Sequence, residues 1–245
     1  MIVQIYEIQT ADEALRMIEM GVDHIGSVLL SGSRWQNTVL KTTIDAVRAA
    51  GRRSSLIPLF DDPDLIAQAV EYYRPDILHF CEALGAAPGD PELAFVVERQ
   101  KRIRRRFKQL QIMRSIPMAV TGRTHMVPSL ELAARFEPYS DWFLTDTLLM
   151  DRHGQEQPVS GYVGITGRTC DWDVARRLVA GSSIPVILAG GIGPDNVQEG
   201  IAAVNPAGVD SCTLTNAVDP AGLPIRFHKD YTKVRKLVEA VRQTG

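Results

Sequence analysis

The stretch IPVILAGGIGPDNVQEGIAAV, residues 184–204, contains one complete strand–turn–helix unit. Its first seven residues form a short apolar run typical of a buried strand, and the glycine pair at 190 and 191 ends that run. Pro194 stands at the first position of a predicted helix over 194–204. The N–H at that position makes no hydrogen bond within a helix, so proline, which lacks it, fits there. This order is that of one βα unit of a parallel sheet.

The same order repeats along the chain. Strands are predicted at 2–6, 24–30, 55–60, 76–81, 110–116, 141–146, 184–190 and 208–214. Helices are predicted between Thr10 and Gly21 and over 38–50, 63–73, 91–108, 128–137, 171–180, 194–204 and 230–242. Eight such units in 245 residues predict one domain, 1–245, folded as a single (β/α)8 TIM barrel. An open α/β sheet is the alternative.

Composition limits the classes of protein that remain. A hydrophobic content of 45% is enough for a large core, and 27 basic against 29 acidic residues argue against a globally basic nucleic-acid binder. No apolar run approaches the roughly 20 residues that a membrane span needs. The N-terminal residues lack the pattern of a signal peptide, so we expect a cytoplasmic protein. The three cysteines predict neither disulfides nor a metal site.

Four loops exceed the usual length of a few residues: 31–38, 82–90, 117–127 and 147–170. Each of them follows a predicted strand. In a TIM barrel the loops after the strands build the catalytic face, so these long loops indicate a functional site at that end.

Two glycine-rich turns precede helices in the last third of the chain. They are GITGRT at 164–169 and LAGG at 188–191. Glycine lets the backbone approach an anion closely, and the free N–H groups of a helix N-terminus favour phosphate. We therefore predict a phosphate site at Gly164, Thr166, Gly167, Gly190 and Gly191. The simpler alternative is that these glycines only permit tight turns.

The run ERQKRIRRRFK at 98–108 contains seven Lys or Arg residues. Such a run is found in nucleic-acid interfaces, but no aromatic platform accompanies it here. We interpret it as the solvated face of an outer helix, with Ile103 and Phe107 turned inward, and expect no nucleic-acid partner.

The glycine turns resemble those of the phosphoribosylanthranilate isomerase family of tryptophan biosynthesis. GITGRTCDW at 164–172 is similar to that family's GGTGKTFDW, and LAGGIGPDNV at 188–197 to its LAGGLTPENV. FLTDT at 143–147, GVD at 208–210 and KDYTKV at 229–234 match its later strands and final helix. Residues 3–28 and Ser33-Arg34 are similar to its opening strand–helix–strand unit.

The resemblance implies a TIM-barrel isomerase that acts on a small phosphorylated substrate without a cofactor or metal. It gives Asp146 the place of the general acid and Arg34 that of the arginine that holds a substrate carboxylate. Thr213 falls in the phosphate turn after the last strand. Asp146 could instead be a helix cap or ion-pair member, and Arg34 an ordinary loop salt bridge. The sequence carries no signal for an oligomeric state.

The chain departs from the family where the catalytic base stands. The family has a cysteine at the position of Tyr6, and a tyrosine with a pKa near 10 is a poor base. Glu7 and His79 are the candidate replacements. Strand alternation places Glu7 on the opposite face from Tyr6 unless the strand has ended, and His79 is the more typical packed histidine. In the phosphate turn, Leu214 brings a side chain to a position of close approach.

These observations lead to two hypotheses. The first is an isomerase that moves protons by acid–base catalysis on a phosphorylated sugar-type substrate, with catalytic groups among Asp146, Tyr6, Glu7 and His79. We expect its reaction to differ from the standard tryptophan-pathway reaction, because the cysteine is absent. The second is a non-catalytic relative that binds a phosphorylated metabolite or a protein partner. We favour the enzyme, since a scaffold has no need of two phosphate-binding turns.

Overall fold

The computed structural model describes residues 1–84, 91–123, 126–151, 154–155 and 157–244. Within these residues the strands are β1 (Ile2–Ile5), β2 (His24–Leu29), β3 (Arg53–Pro58), β4 (Ile77–Phe80), β5 (Gln111–Met118), β6 (Trp142–Thr147), β7 (Met150–Asp151), β8 (Gly154–Gln155), β9 (Val186–Leu188), β10 (Gly208–Ser211), β11 (Asn216–Val218) and β12 (Pro224–Lys229). The α-helices are α1 (Ala11–Glu19), α2 (Thr38–Ala49), α3 (Pro63–Tyr73), α4 (Pro91–Arg106), α5 (Ser129–Phe136), α6 (Trp172–Gly181), α7 (Val197–Val204) and α8 (Tyr231–Arg242).

Eight parallel strands close into a barrel in the order β1-β10-β9-β6-β5-β4-β3-β2. A helix follows each of these strands along the chain, so the predicted TIM barrel is confirmed. Two small antiparallel hairpins, β7–β8 and β11–β12, are inserted after β6 and β10. Both hairpins follow barrel strands, on the side where TIM barrels carry their functional loops.

Strand alternation divides the core into two layers. Val3 and Ile5 of β1 pack outward in the main cluster between strands and helices. Tyr6 belongs instead to the cluster that fills the barrel interior. Because side chains alternate along a strand, Gln4 shares the inward face with Tyr6. Polar residues placed inside the barrel in this way are the candidates for chemistry.

Several predicted boundaries move by a few residues. The helix expected from Pro194 begins at Val197, because Asn196 holds the preceding turn. The Asn196 Oδ1 accepts from the Gly193 N–H at 2.9 Å, and the Asn196 Nδ2 donates to the Gly191 carbonyl at 2.8 Å. The strand expected over 208–214 ends at Ser211 and continues as a 3-10 helix, Thr213–Thr215. Among the described residues no helix is both long and apolar enough to cross a membrane.

The basic run at 98–108 lies on α4 and just beyond it, and its interpretation as a solvated face is wrong for one of its seven basic residues. Arg99 is buried and forms an ion pair with Glu82, which also pairs with the fully buried Arg114. The Arg114 guanidinium lies 4.4 Å from the centre of the Phe136 ring. A half-buried carboxylate shared by two arginines offsets part of their charge, and through it Arg99 joins the helix layer to the barrel.

Candidate active site at the carboxyl end of the barrel

One cavity at the carboxyl ends of the strands is lined by three carboxyl groups from different strands. We call it the central cavity. Glu7 follows β1, Asp146 lies in β6 and Asp210 in β10. The other lining residues are Tyr6, Val28, Ile57, Leu59, His79, Cys81, Leu144, Val159, Tyr162, Val163, Gly164, Ile165, Cys212 and Arg226. Ionisable groups gathered in a concave, largely apolar site are the usual sign of an active site.

Tyr6 is held inside the barrel by a chain of hydrogen bonds. Its hydroxyl lies 2.6 Å from Ser55 Oγ and 2.6 Å from His79 Nδ1. His79 Nε2 lies 2.8 Å from Ser115 Oγ, which continues the chain across the barrel. The ring fits because residue 26 is glycine: a Cβ there would lie 2.2 Å from the Tyr6 ring.

Burial keeps this pair neutral. It raises the pKa of the Tyr6 hydroxyl well above its usual value and lowers the pKa of His79 to about 3. A protonated phenol is no base, and an imidazole with so low a pKa accepts a proton poorly at neutral pH. Burial also raises the pKa of the Cys81 and Cys212 thiols, so neither is a thiolate at neutral pH.

Glu7 turns toward the cavity because β1 has ended. The strand stops at Ile5, and Glu7 adopts a left-handed φ of 65°. Its carboxylate is buried, with Oε1 accepting from Arg226 Nε at 2.6 Å and Oε2 from the Phe227 N–H at 3.2 Å. Left-handed backbone costs a residue other than glycine about 1 kcal/mol, and such strain clusters at functional sites.

Asp146 faces the cavity from the end of β6. Burial raises the pKa of its carboxyl to about 7, although the Thr147 N–H donates to Oδ1 at 2.8 Å and opposes that shift. A Cβ on residue 164 would lie 2.4 Å from Asp146 Oδ2, so Gly164 provides the room for this carboxyl. A carboxyl with a pKa near 7 can give up or take a proton at neutral pH.

Asp210 is the third carboxyl, and the sequence analysis did not single it out as a site residue. Burial raises its pKa to about 8, while Gln4 Nε2 donates to Oδ1 at 3.1 Å. Gln4 Oε1 in turn lies 3.2 Å from His24 Nδ1. The sequence signal that could have identified Asp210 is the GVD motif at 208–210. Asp210 there shares the inward face of its strand with Cys212.

A second cavity adjoins the first and is lined by 165–167, 190–192 and 211–214. We call it the glycine cradle. It contains Thr166, Gly167, Gly190, Gly191 and Thr213, and it shares Asp146 and Asp210 with the central cavity. The structure thus brings together all the predicted phosphate residues except Gly164, which lines the central cavity.

The two glycine turns contact each other through their backbones. A Cβ on Gly191 would lie 2.4 Å from the carbonyl carbon of Arg168 and from the Thr169 nitrogen. Gly167, Gly190 and Gly191 all have positive φ, at 63°, 82° and 66°. Glycine adopts this conformation without strain, so the cradle depends on glycine at these positions. Leu214 packs on the opposite wall, where a Cβ on Gly193 would lie 2.8 Å from the Leu214 Cβ.

Arg34 does not line the central cavity. It is exposed at the end of a 3-10 helix, Gly32–Arg34, and lines a separate surface depression with residues 33–38. The arginine at the central cavity is Arg226 of β12. The sequence analysis missed this hairpin, because its strands are short and its apolar residues do not alternate cleanly. Within the described residues, no three His, Cys, Asp or Glu side chains are grouped closely enough to hold a metal ion.

Comparison with known proteins agrees with this architecture. The chain is 30% identical over 175 residues to N-(5'-phosphoribosyl)anthranilate isomerase 1 of Methanosarcina mazei, an alignment that covers 71% of this chain and 65% of that protein. It is 31% identical over 232 residues to the isomerase of Xanthomonas campestris pv. campestris, covering 92% of this chain and 86% of that protein. The chain matches only 37% of the length of the Methanosarcina acetivorans isomerase, so it covers less than two thirds of several of these relatives.

Solved structures share the fold. Phosphoribosylanthranilate isomerase from Thermotoga maritima superposes with a TM-score of 0.68 at 18% identity, over 99% of this chain and 100% of that chain. A structure of such an isomerase in complex with reduced 1-(o-carboxyphenylamino)-1-deoxyribulose 5-phosphate has a TM-score of 0.66 at 17% identity, over 99% and 100% of the two chains. The model of the N-(5'phosphoribosyl)anthranilate (PRA) isomerase family matches residues 101–240, more than half of the sequence. The chain therefore belongs to the N-(5'-phosphoribosyl)anthranilate isomerase family.

Proposed function

We propose that the protein isomerises a phosphorylated aminosugar of the phosphoribosylanthranilate type, with Asp146 as the general acid and Glu7 as the general base. The observation that carries this proposal is one continuous site. Three carboxyl groups, Asp146 and Glu7 among them, line the central cavity, and the adjoining glycine cradle shares Asp146 and Asp210 with it. Glycine-rich turns with free backbone N–H groups have the chemistry that a phosphate site uses.

The proposed reaction needs one acid and one base. Asp146 gives a proton to the ring oxygen as the sugar ring opens, and Glu7 removes the proton from carbon 2. The resulting enol takes up a proton at carbon 1 from Glu7, and its hydroxyl gives a proton to Asp146 as the ketone forms at carbon 2. Both carboxyl groups thus regain their starting protonation, and the net change is an isomerisation. The pKa of Asp146, about 7, keeps a large part of it protonated near neutral pH, as a general acid requires.

Glu7 is the better candidate base because its carboxyl group is fixed in position at the cavity. Arg226 and the Phe227 N–H both bind it, and its backbone is bent to present it to the cavity. Tyr6 and His79 are instead occupied by their mutual hydrogen bond. Because Arg226 holds the Glu7 carboxyl, this group must leave part of its ion pair to reach a substrate proton, so we expect slower turnover of N-(5'-phosphoribosyl)anthranilate than in family members with the cysteine.

Substitutions at Glu7 and Tyr6 show which of the two residues is the base. We expect Glu7→Gln to lower turnover about 100-fold, because general-base catalysis contributes about that much or more. Tyr6→Phe should lower it less than about 10-fold, since its hydroxyl is a neutral hydrogen-bonding group here. The fluorescence loss of the anthranilate adduct measures both rates. Glu199→Gln, on the exposed face of α7, is the matched control.

The reverse result, with Tyr6→Phe inactive and Glu7→Gln active, contradicts the assignment of the base. A wild-type protein that binds sugar phosphates in a calorimeter but isomerises none of them would make it a binding protein. Circular dichroism of each variant verifies that the fold is kept.

A further inference from the structure

The β11–β12 hairpin is fixed firmly to the barrel. Lys229 is buried and its Nζ donates to the Cys212 carbonyl at 2.9 Å. Lys233 of α8 donates to the carbonyl of Asn216 at 2.8 Å, and Asn216 is the β11 residue that pairs with Lys229, so both contacts anchor the same end of the hairpin. These contacts hold the strand that carries Arg226 against the mouth of the central cavity.

Arg226 is the single Lys or Arg among the described residues that line the central cavity, and the described lining of the glycine cradle contains none. Its orientation is set from two sides. Nε and Nη2 each lie 2.6 Å from Glu7 Oε1, and the guanidinium carbon lies 4.9 Å from the centre of the Phe227 ring. A guanidinium has five N–H donors, so several remain for a ligand beside this pair.

The surroundings of Arg226 suit an anion on an apolar group. Its side chain is 38% exposed, at the open side of the cavity. Burial raises the pKa values of Asp146 and Asp210 to about 7 and about 8, which reduces the negative charge that these two carboxyls carry at neutral pH. Much of the lining of the same cavity is apolar or aromatic, including Val28, Ile57, Leu59, Tyr162 and Val163.

We propose that Arg226 binds a carboxylate carried by the apolar part of the substrate, and that it thereby determines substrate specificity. This inference rests on the proposed function, since it takes the central cavity as the substrate site. It transfers to Arg226 the carboxylate-binding role that the family resemblance gives to Arg34, because Arg34 lies in a separate surface depression. Charged pairs of guanidinium and carboxylate are the strong, oriented kind of hydrogen bond.

Calorimetry with two matched probes tests the inference. The first is reduced 1-(o-carboxyphenylamino)-1-deoxyribulose 5-phosphate, and the second is the same compound without the carboxylate. We expect the wild type to bind the first about 10-fold or more tightly than the second. Arg226→Gln should abolish that preference and leave the affinity for inorganic phosphate unchanged. Because the preference is the ratio of the two affinities, a loss of affinity that affects both probes equally does not change it.

Three further variants complete the experiment. Arg226→Lys keeps the charge and should keep part of the preference, which also covers the case of a poorly folded Gln variant. Arg235→Gln, on the exposed surface of α8, is the matched control. Arg34→Gln tests the competing residue.

The inference is overturned by a preference that survives in Arg226→Gln, by one that disappears in Arg34→Gln, or by a wild type that binds neither probe. A wild type that shows the Arg226-dependent preference but no turnover supports the inference while rejecting the isomerase.

Discussion

Asp146→Asn is expected to lower turnover about 1,000-fold, because the amide cannot give the ring oxygen a proton while the Thr147 N–H can still donate to its oxygen. The same fluorescence assay measures it. Asp173→Asn, whose side chain is 86% exposed on α6, is the matched control and should turn over like the wild type. Normal turnover by Asp146→Asn would remove this residue from the mechanism.

The same substitution should stabilise the protein at alkaline pH. Burial raises the pKa of Asp146 from 3.8 to about 7, so the folded chain binds more protons than the unfolded chain between these values. Stability is therefore lost as pH rises from about 4 to about 7, and the full cost applies above pH 7. After allowance for partial exposure, we expect Asp146→Asn to be about 2 kcal/mol more stable at pH 8 and unchanged at pH 4. Urea unfolding at both values measures this.

Gly191→Ala should abolish binding of sugar phosphates and of inorganic phosphate. Its Cβ would stand 2.4 Å from backbone atoms of Arg168 and Thr169, and backbone cannot swing aside as a side chain can. The turn at 164–169 must therefore move away, which changes the shape of the cradle and the positions of the backbone N–H groups that would bind the anion. We expect a loss of affinity of at least about 100-fold in calorimetry, which equals roughly 2.7 kcal/mol.

The other cradle glycines should follow in a graded series. A Cβ on Gly190 would meet the Thr147 side chain at 2.5 Å, and a Cβ on Gly167 would meet Thr213 Cγ2 at 3.3 Å. The expected loss therefore falls from Gly191→Ala through Gly190→Ala to Gly167→Ala. Gly181→Ala is the control, since its Cβ meets nothing within 4 Å. A folded Gly191→Ala that binds phosphate like the wild type would show that the cradle is not the anion site.

Local signals predicted the barrel well. Apolar runs, helix caps and glycine stops are properties of a few neighbouring residues, and they act before any tertiary contact forms. The first helix is predicted to begin at Thr10, and the Thr10 side chain caps α1 by accepting from the Glu13 N–H. The errors at Val197 and Ser211 arose where one side chain, such as Asn196, redirects the backbone.

The candidate site was less predictable because it depends on pairings distant in sequence. Glu7 and Arg226 are 219 residues apart. The sequence around either residue does not indicate that the two form an ion pair. The reorientation of Glu7 depends on the end of β1 at Ile5, one residue before the predicted end. Arg99 was misplaced for the same reason, since its partner Glu82 belongs to another segment. Asp146 was easier to identify because it ends a clear strand in a motif shared with the family.

The pH dependence of kcat/KM tests the acid–base account most directly. A general acid must be protonated, and the pKa of Asp146 is about 7. We therefore predict that kcat/KM of the wild type falls about tenfold per pH unit above pH 7, and that Asp146→Asn retains only residual activity without this alkaline limb. A wild-type kcat/KM that stays constant from about pH 6 to about pH 9 would contradict acid catalysis by this carboxyl.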